Sequence, residues 1–477
     1  MKKLLLILSL VALPLNALAD FKDYYFLNSL RKKTDQINLS HFFRGILSST
    51  GPSLPNPFVS VETEFFDQRL NHNDPSDKRT FRQRYFVSSS YAQGPDSPVL
   101  YYVCGESACD SPFWGAISLH AKELKAHLIA LEHRYYGKSQ PFPSLESRNL
   151  TYLSVENALQ DLAYFQDYAV EKFNLKGKFI SVGGSYPGSL SAYYRLSYPN
   201  LVAGALASSA PVEARENFEE YDLHVSTVVG PVCGKAIKQV VEEIESNSEN
   251  AEKLAKYKRF FFASKIREKD DFLYFVADIA AAAVQYGMKD DFCQQLINAS
   301  YPLESYGEFA KKILDTFGVD AVGFSVQAAE NLDPTAGDSG MRQWFYQSCT
   351  QFGFWQTAYH DKDISVRSSR IDLDYHRRLC KRFFNLDTPA DTAAINQKYL
   401  EPLADPSRSS NVFFTNGSQD PWIKLSLALE NNNTNNSNHD YYTIKKAAHC
   451  EDLGFGSAAD TANARSGFIR HAKEWLK

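Results

Sequence analysis

The chain has 477 residues, 22% of them charged, 44% hydrophobic and 14% aromatic, with a formal net charge of −5. That length exceeds one small core and predicts two or three packed units. The acidic balance excludes a basic nucleic-acid binder, and the aromatic content excludes a disordered chain.

The N-terminus reads as an export signal. Lys2 and Lys3 form a positive start, Leu4 to Leu15 is apolar apart from Ser9 and Pro14, and Ala17-Leu18-Ala19 is a small-x-small cleavage site before Asp20. The apolar stretch is shorter than the roughly 20 residues a bilayer needs, so 1–19 is a signal peptide of bacterial type and not a span. The mature chain then has 458 residues and a net charge of −7. No later segment is apolar enough to span, so no membrane association is expected, and the destination is the periplasm or the medium.

Residues 20–57 are an N-terminal segment, and 58–212 alternate short apolar runs with amphipathic stretches. The runs at 98–103, 128–131, 178–182 and 201–207 fit strands buried on both faces of a parallel sheet. The strongest helix pattern is 151–174, where Ser154 can cap and Val155, Leu159, Leu162, Phe165 and Ala169 share a face. Strand and helix in alternation mean an α/β fold. After Pro211 the texture turns helical and charged, as at 236–244, 271–285 and 306–317, and a return segment runs to about 400. Strand signals resume at 412–414 and 441–444, and a helix over 457–475 closes the second part of the core, 401–477.

The sharpest local feature is Gly183-Gly184-Ser185-Tyr186-Pro187-Gly188, placed between an apolar strand and a helix. That is the context of a nucleophile elbow, which exposes a serine oxygen above the strand ends. Pro187 replaces the second glycine of the usual pattern. It costs nothing in a first helical turn, and the Tyr186 N–H remains to hold an oxyanion. The second donor is expected from Cys104-Gly105-Glu106-Ser107 after the third strand, with Gly105 preferred. Glu106 reads either as a buried structural acid or as a group that holds a polar part of the substrate.

A serine nucleophile needs a base and an orienting acid, in the chain order Ser, Asp, His. Of 11 histidines, His439, His449 and His471 follow the late strands. His439 precedes the last strand and His471 lies on the terminal helix, where a surface role is expected, so His449 is the base. Asp420, in Asn416-Gly417-Ser418-Gln419-Asp420-Pro421-Trp422, follows the preceding strand and is the acid. Asp440 and Asp452 are competitors in less suitable positions.

Six motifs in order now point to one family. They are 65–72 (FFDQRLNH), 132–139 (EHRYYGKS), 183–186 (GGSY), 208–212 (SSAPV), 346–350 (YQSCT) and 416–422 (NGSQDPW). The set resembles the serine peptidase family of lysosomal Pro-Xaa carboxypeptidase, dipeptidyl peptidase II and thymus-specific serine protease, from about residue 60 to the C-terminus. The resemblance implies an α/β-hydrolase core with an all-helical cap inserted over 213–400. It implies an exopeptidase acting on peptides after proline or a small residue, without metal or cofactor. It puts Ser185, Asp420 and His449 on the triad positions and Trp422 in a pocket for a proline ring, where simple core packing is the alternative role. It implies Cys233–Cys293 and Cys349–Cys380 bridges and leaves a homodimer open.

Two departures stand out. Cys104 replaces a usual glycine, so Cys104 and Cys109 either bridge locally or leave Cys109 free. Gln351 stands where relatives carry Glu. Seven cysteines leave at least one unpaired, and Cys450 is the candidate. The residues alone do not separate release of N-terminal dipeptides from removal of a C-terminal residue. The rival readings are an esterase or lipase on the same fold, and a binding module that retained the scaffold.

Overall fold

The structure, a computed structural model, describes residues 59–336, 340–454 and 459–477. The expected signal peptide and the segment up to 57 lie outside the described residues. The chain opens with β1 (Glu62–Arg69) and β2 (Thr80–Ser88), an antiparallel pair. β3 (Val99–Val103), β4 (His127–Leu131), β5 (Phe179–Gly184) and β6 (Gly204–Ser208) follow, with α1 (Ala116–Leu124), α2 (Val155–Phe173) and α3 (Tyr186–Ser197) between them. β7 (Arg215–Asn217) and β8 (Gly353–Trp355) form a separate parallel pair. β9 (Val412–Gly417) and β10 (Asp440–Ile444) complete the main sheet.

The eight strands of that sheet lie in the order β1-β2-β4-β3-β5-β6-β9-β10, with β2 antiparallel to both neighbours and the rest parallel. This is the α/β-hydrolase arrangement. β3, β4 and β6 are buried almost throughout because both faces are covered. The strand period of two sends Tyr101 and Ile129 to one side, against Phe165 and Leu190, and Leu100 and Leu128 to the other, against Ile117 and Phe468. The Ser154 side chain caps α2 by accepting from the Asn157 N–H at 3.2 Å, as its sequence predicts.

Between β6 and β9 the chain leaves the sheet. It forms α4 (Glu220–Ser246), α5 (Ala251–Phe260), α6 (Lys269–Gln285), α7 (Lys289–Ile297) and α8 (Pro302–Phe317). α9 (Met341–Gln347) and α10 (Leu373–Phe384) lead back to the core, and α11 (Ala459–Trp475) ends it. α4 bends where Gly230, at φ 77°, precedes Pro231. Cys233–Cys293 ties α4 to α7, and Cys349–Cys380 ties the end of α9 to α10. Cys104 bridges Cys109, which leaves Cys450 as the free, buried thiol.

Two expectations change. β1 and β2 carry no long apolar run and were not predicted as strands; β1 is an edge strand with alternating, largely exposed residues. His471 is not a surface residue. It is buried, and its Nδ1 lies 3.1 Å from Asp440 Oδ2.

One ion pair joins two of the motifs to α2. Arg134 binds Asp161 of α2 through Nε and Nη2, both at 2.6 Å, and donates to the carbonyls of Arg69, Leu70 and Tyr152. His72 completes the cluster at 2.8 Å from Asp161. Burial pushes the Asp161 carboxyl up, but the Arg134 guanidinium outweighs it and holds it below the usual range. Asp161→Ala strands a fully buried guanidinium, and urea unfolding should show a loss of about 3–5 kcal/mol.

Candidate active site

β5 delivers the chain into a tight turn. Ser185 sits at φ 63°, ψ −135°, and Tyr186 begins α3 directly after it. A positive φ at a serine is held only by surroundings that over-determine it. Here the Ser185 N–H donates to Ser208 O at 2.8 Å, and a Cβ on Gly183 would strike the backbone carbonyl of Pro187. The 104–109 loop crosses the same turn. Gly105 packs so closely on the Pro187 ring that no larger residue fits. The Cys104–Cys109 bridge closes this loop, and Glu132 holds it by accepting from the Cys109 N–H at 3.0 Å.

The expected acid and base lie on loops after β9 and β10. Asp420 is fully buried and uses its two oxygens separately. Oδ1 accepts from the Trp422 N–H at 3.0 Å, and Oδ2 lies 2.7 Å from His449 Nδ1. Burial opposes a charge on His449, but the Asp420 carboxylate outweighs it, so the imidazole is raised well above its ordinary range. The competitors are engaged elsewhere. Asp452 accepts from Ser208 Oγ at 2.5 Å and Thr415 Oγ1 at 2.7 Å, and His439 contacts Ser409 Oγ at 3.0 Å.

Two cavities meet at Ser185. The smaller, about 120 Å³, is lined by Gly105, Glu106, the Cys104–Cys109 bridge, Trp114, Ser185, His449 and Cys450. The larger, about 240 Å³, has Ser185, Tyr186, Glu106 and Trp422 on one side and residues of α6, α8 and α9 on the other. Trp422 has two sets of neighbours. It lines the cavity and packs on Phe218, Tyr221 and Phe354, with ring centroids 5.4–5.6 Å apart. Burial raises Glu106 to about 7, against the pull of a backbone hydrogen bond and His449.

Several positioning residues escaped the sequence reading. The Gln285 side chain, at the end of α6, accepts from Tyr221 OH at 2.6 Å and Trp422 Nε1 at 2.9 Å, while its backbone carbonyl accepts from the His449 N–H at 2.9 Å. Gln347 accepts from Tyr136 OH at 2.7 Å and donates to Tyr186 OH at 2.9 Å, and His133 reaches the same hydroxyl at 3.0 Å. Ser209 Oγ accepts from the Cys450 N–H at 2.9 Å and so fastens the His449 loop. Gln351 accepts from the Val155 N–H at 3.1 Å, at the start of α2. The motifs quoted for Gln347, His133 and Ser209 were visible; their partners, up to 241 residues away, were not.

The model of serine carboxypeptidase S28 matches residues 68–467. The chain belongs to the serine carboxypeptidase S28 family. A relative from Arabidopsis thaliana that carries the name "Probable serine protease EDA2" is 36% identical over 417 residues, covering 84% of this chain and 81% of that one. Human thymus-specific serine protease is 27% identical, with 92% of each chain covered. Bovine lysosomal Pro-X carboxypeptidase is 26% identical over 90% of this chain and 91% of its own. Membership makes the chain a serine-type peptidase, with peptides as substrates. Among the described residues, no helix is long and apolar enough to cross a membrane.

Gln285→Leu removes the acceptor shared by Tyr221 and Trp422 but keeps the backbone carbonyl under His449. Two buried donors lose their partner, so chemical denaturation should report about 1–3 kcal/mol of lost stability.

Proposed function

We propose that this S28 peptidase is an exported exopeptidase that cleaves peptides after proline or a small residue. Ser185 is the nucleophile, His449 the general base and Asp420 the group that orients it. The observation that carries the reading is the buried 2.7 Å Asp420–His449 pair, on a histidine that shares a cavity wall with the elbow serine. His449 takes the Ser185 proton as the serine oxygen attacks the substrate carbonyl. The tetrahedral oxyanion is held by the N–H groups of Tyr186 and Gly105. Collapse expels the amine, which receives its proton from His449. Water, deprotonated by His449, then releases the acyl group and restores Ser185.

The aromatic wall around Trp422 suits the flat apolar ring of a proline. Helices α6 and α8 close over the larger cavity, which favours chain ends over folded polypeptides. Three disulfides support an oxidising destination outside the cytoplasm. Both exopeptidase directions fit this chemistry.

Ser185→Ala should fold normally, fail to take a fluorophosphonate label and lose peptidase activity; a folded variant with full activity refutes the assignment. An enzyme that takes the label but cleaves only esters would instead be the esterase. Asp420→Asn should lower kcat by about 10⁴-fold. Neutral His449 is the active form, so the rate rises with pH as it loses its proton. Removing the carboxylate lowers the histidine pKa, so this acid limb should move to lower pH in a kcat/KM profile.

A further inference from the structure

The larger cavity is charged in one sense only. Among the described residues its lining holds two acids, Glu106 and Asp278, and no lysine, arginine or histidine. Asp278, Ala281, Ala282 and Gln285 all line it. They recur at the i, i+3, i+4, i+7 spacing that puts residues on one face of a helix, here α6. Asp278 therefore lies on the same helical stripe as Gln285, which carries the His449 backbone. Its side chain is 21% exposed.

The charges behind it do not balance. Arg367, buried at 2% exposure, stands between two carboxylates, at 3.5 Å from Asp278 Oδ1 and 4.0 Å from Asp222 Oδ1. Its guanidinium also donates to the backbone and side-chain oxygens of Gln356. Asp222 is fully enclosed and receives Ser365 Oγ and the N–H groups of Tyr359 and Val366. One guanidinium against two carboxylates leaves one negative charge. Asp278, the less enclosed of the two acids, turns that charge towards the cavity. Burial pushes Asp278 up to about 6 against the pull of Arg367, as expected of a carboxylate short of cations.

A peptide offers two charged ends. Its α-carboxylate would enter this cavity against two acids with no cation in the lining. Its α-amine, which titrates near 8, enters as a cation. We propose that Asp278 binds the free α-amine of the substrate, so that the larger cavity takes the amino-terminal residues and Ser185 releases a short amino-terminal fragment. This rests on Ser185 being the nucleophile.

The test uses the full enzyme with Ala-Pro-aminomethylcoumarin, either free or N-acetylated, and a fluorophosphonate label on wild type. The wild type should prefer the free amine by about 10–100-fold in kcat/KM, mostly through KM, the range expected of a charge-assisted hydrogen bond. Asp278→Asn should collapse that preference towards one, and Asp278→Glu should recover part of it. A labelled wild type that cleaves both substrates equally overturns this proposal alone. A wild type that takes no label overturns the nucleophile assignment, and this proposal with it. If Asp278→Asn does not fold, the wild-type preference, read with product masses from an unblocked peptide, still decides. Release of carboxy-terminal residues first overturns the proposal.

Discussion

A carboxylate with no contact with water, Asp420, sets the terms for everything around it. Burying such a charge costs several kcal/mol unless both oxygens find strong partners. Asp420 therefore gives one oxygen to the Trp422 N–H and the other to His449 Nδ1. The first bond fixes the short helical turn after β9 and presents the Trp422 indole to the larger cavity. The second fixes the imidazole and its tautomer, because the ring nitrogen facing a carboxylate carries the proton. A chemical requirement at one atom pair thus shapes a cavity wall and the proposed base together.

Neither strand end could hold this arrangement alone. The His449 loop is fastened by Ser209 from the end of β6 and by the last residue of α6, more than 160 positions earlier in the chain. Gln285 makes the helical segment part of the frame around the Asp420–His449 pair. Its carbonyl holds His449, and its side chain holds the wall at Trp422. On the opposite side, Tyr186 is anchored by His133 and Gln347, again one group from the core and one from α9. The helices between β6 and β9 are therefore structural partners of His449, Trp422 and Tyr186.

This explains what the sequence could reveal. Ser185 was legible because an elbow is a local object: strand, glycines, serine and helix occupy adjacent positions. Asp420 and His449 were legible because each follows a late strand, and the fold fixes their order. β3 to β6 announced themselves as apolar runs since both of their faces are covered. β1 did not, because an antiparallel edge strand keeps its residues wet and mixed, and β2 did not, because its buried stretch includes the polar Gln83 and Arg84. Gln285 and Asp278 lie in the stretch 271–285, which reads as a helix without showing which face meets the cavity. Their importance comes from partners across the fold, and a single sequence holds no trace of those distances. The two cysteines of the 104–109 loop left two outcomes open, and only their approach in space chose the bridge.

The two cavities divide the work by origin. The smaller is built mainly from loops of the sheet and holds Ser185 and His449, the groups proposed to exchange a proton. The larger takes much of its wall from helices outside the sheet and holds aromatic rings and acids. On the proposed mechanism the bonds of Ser185 to Ser208 and of Asp420 to Gly417 tie the chemistry to the sheet, whereas the His449 backbone is tied to Gln285 of α6. Most of α6 and α8 is packed in the core, and only a few of their residues, such as Asp278, Ala281 and Ala282, face the larger cavity without a bond to the Asp420–His449 pair. Gln285 is the exception, and it marks the boundary. Before it along α6, Asp278, Ala281 and Ala282 line the cavity and share no bond with the Asp420–His449 pair, so on the proposed reading changes there would act on what the cavity accepts. With Asp278 as the proposed amine site, the peptide end recognised is set on a helix separate from the loops that carry Ser185, Asp420 and His449.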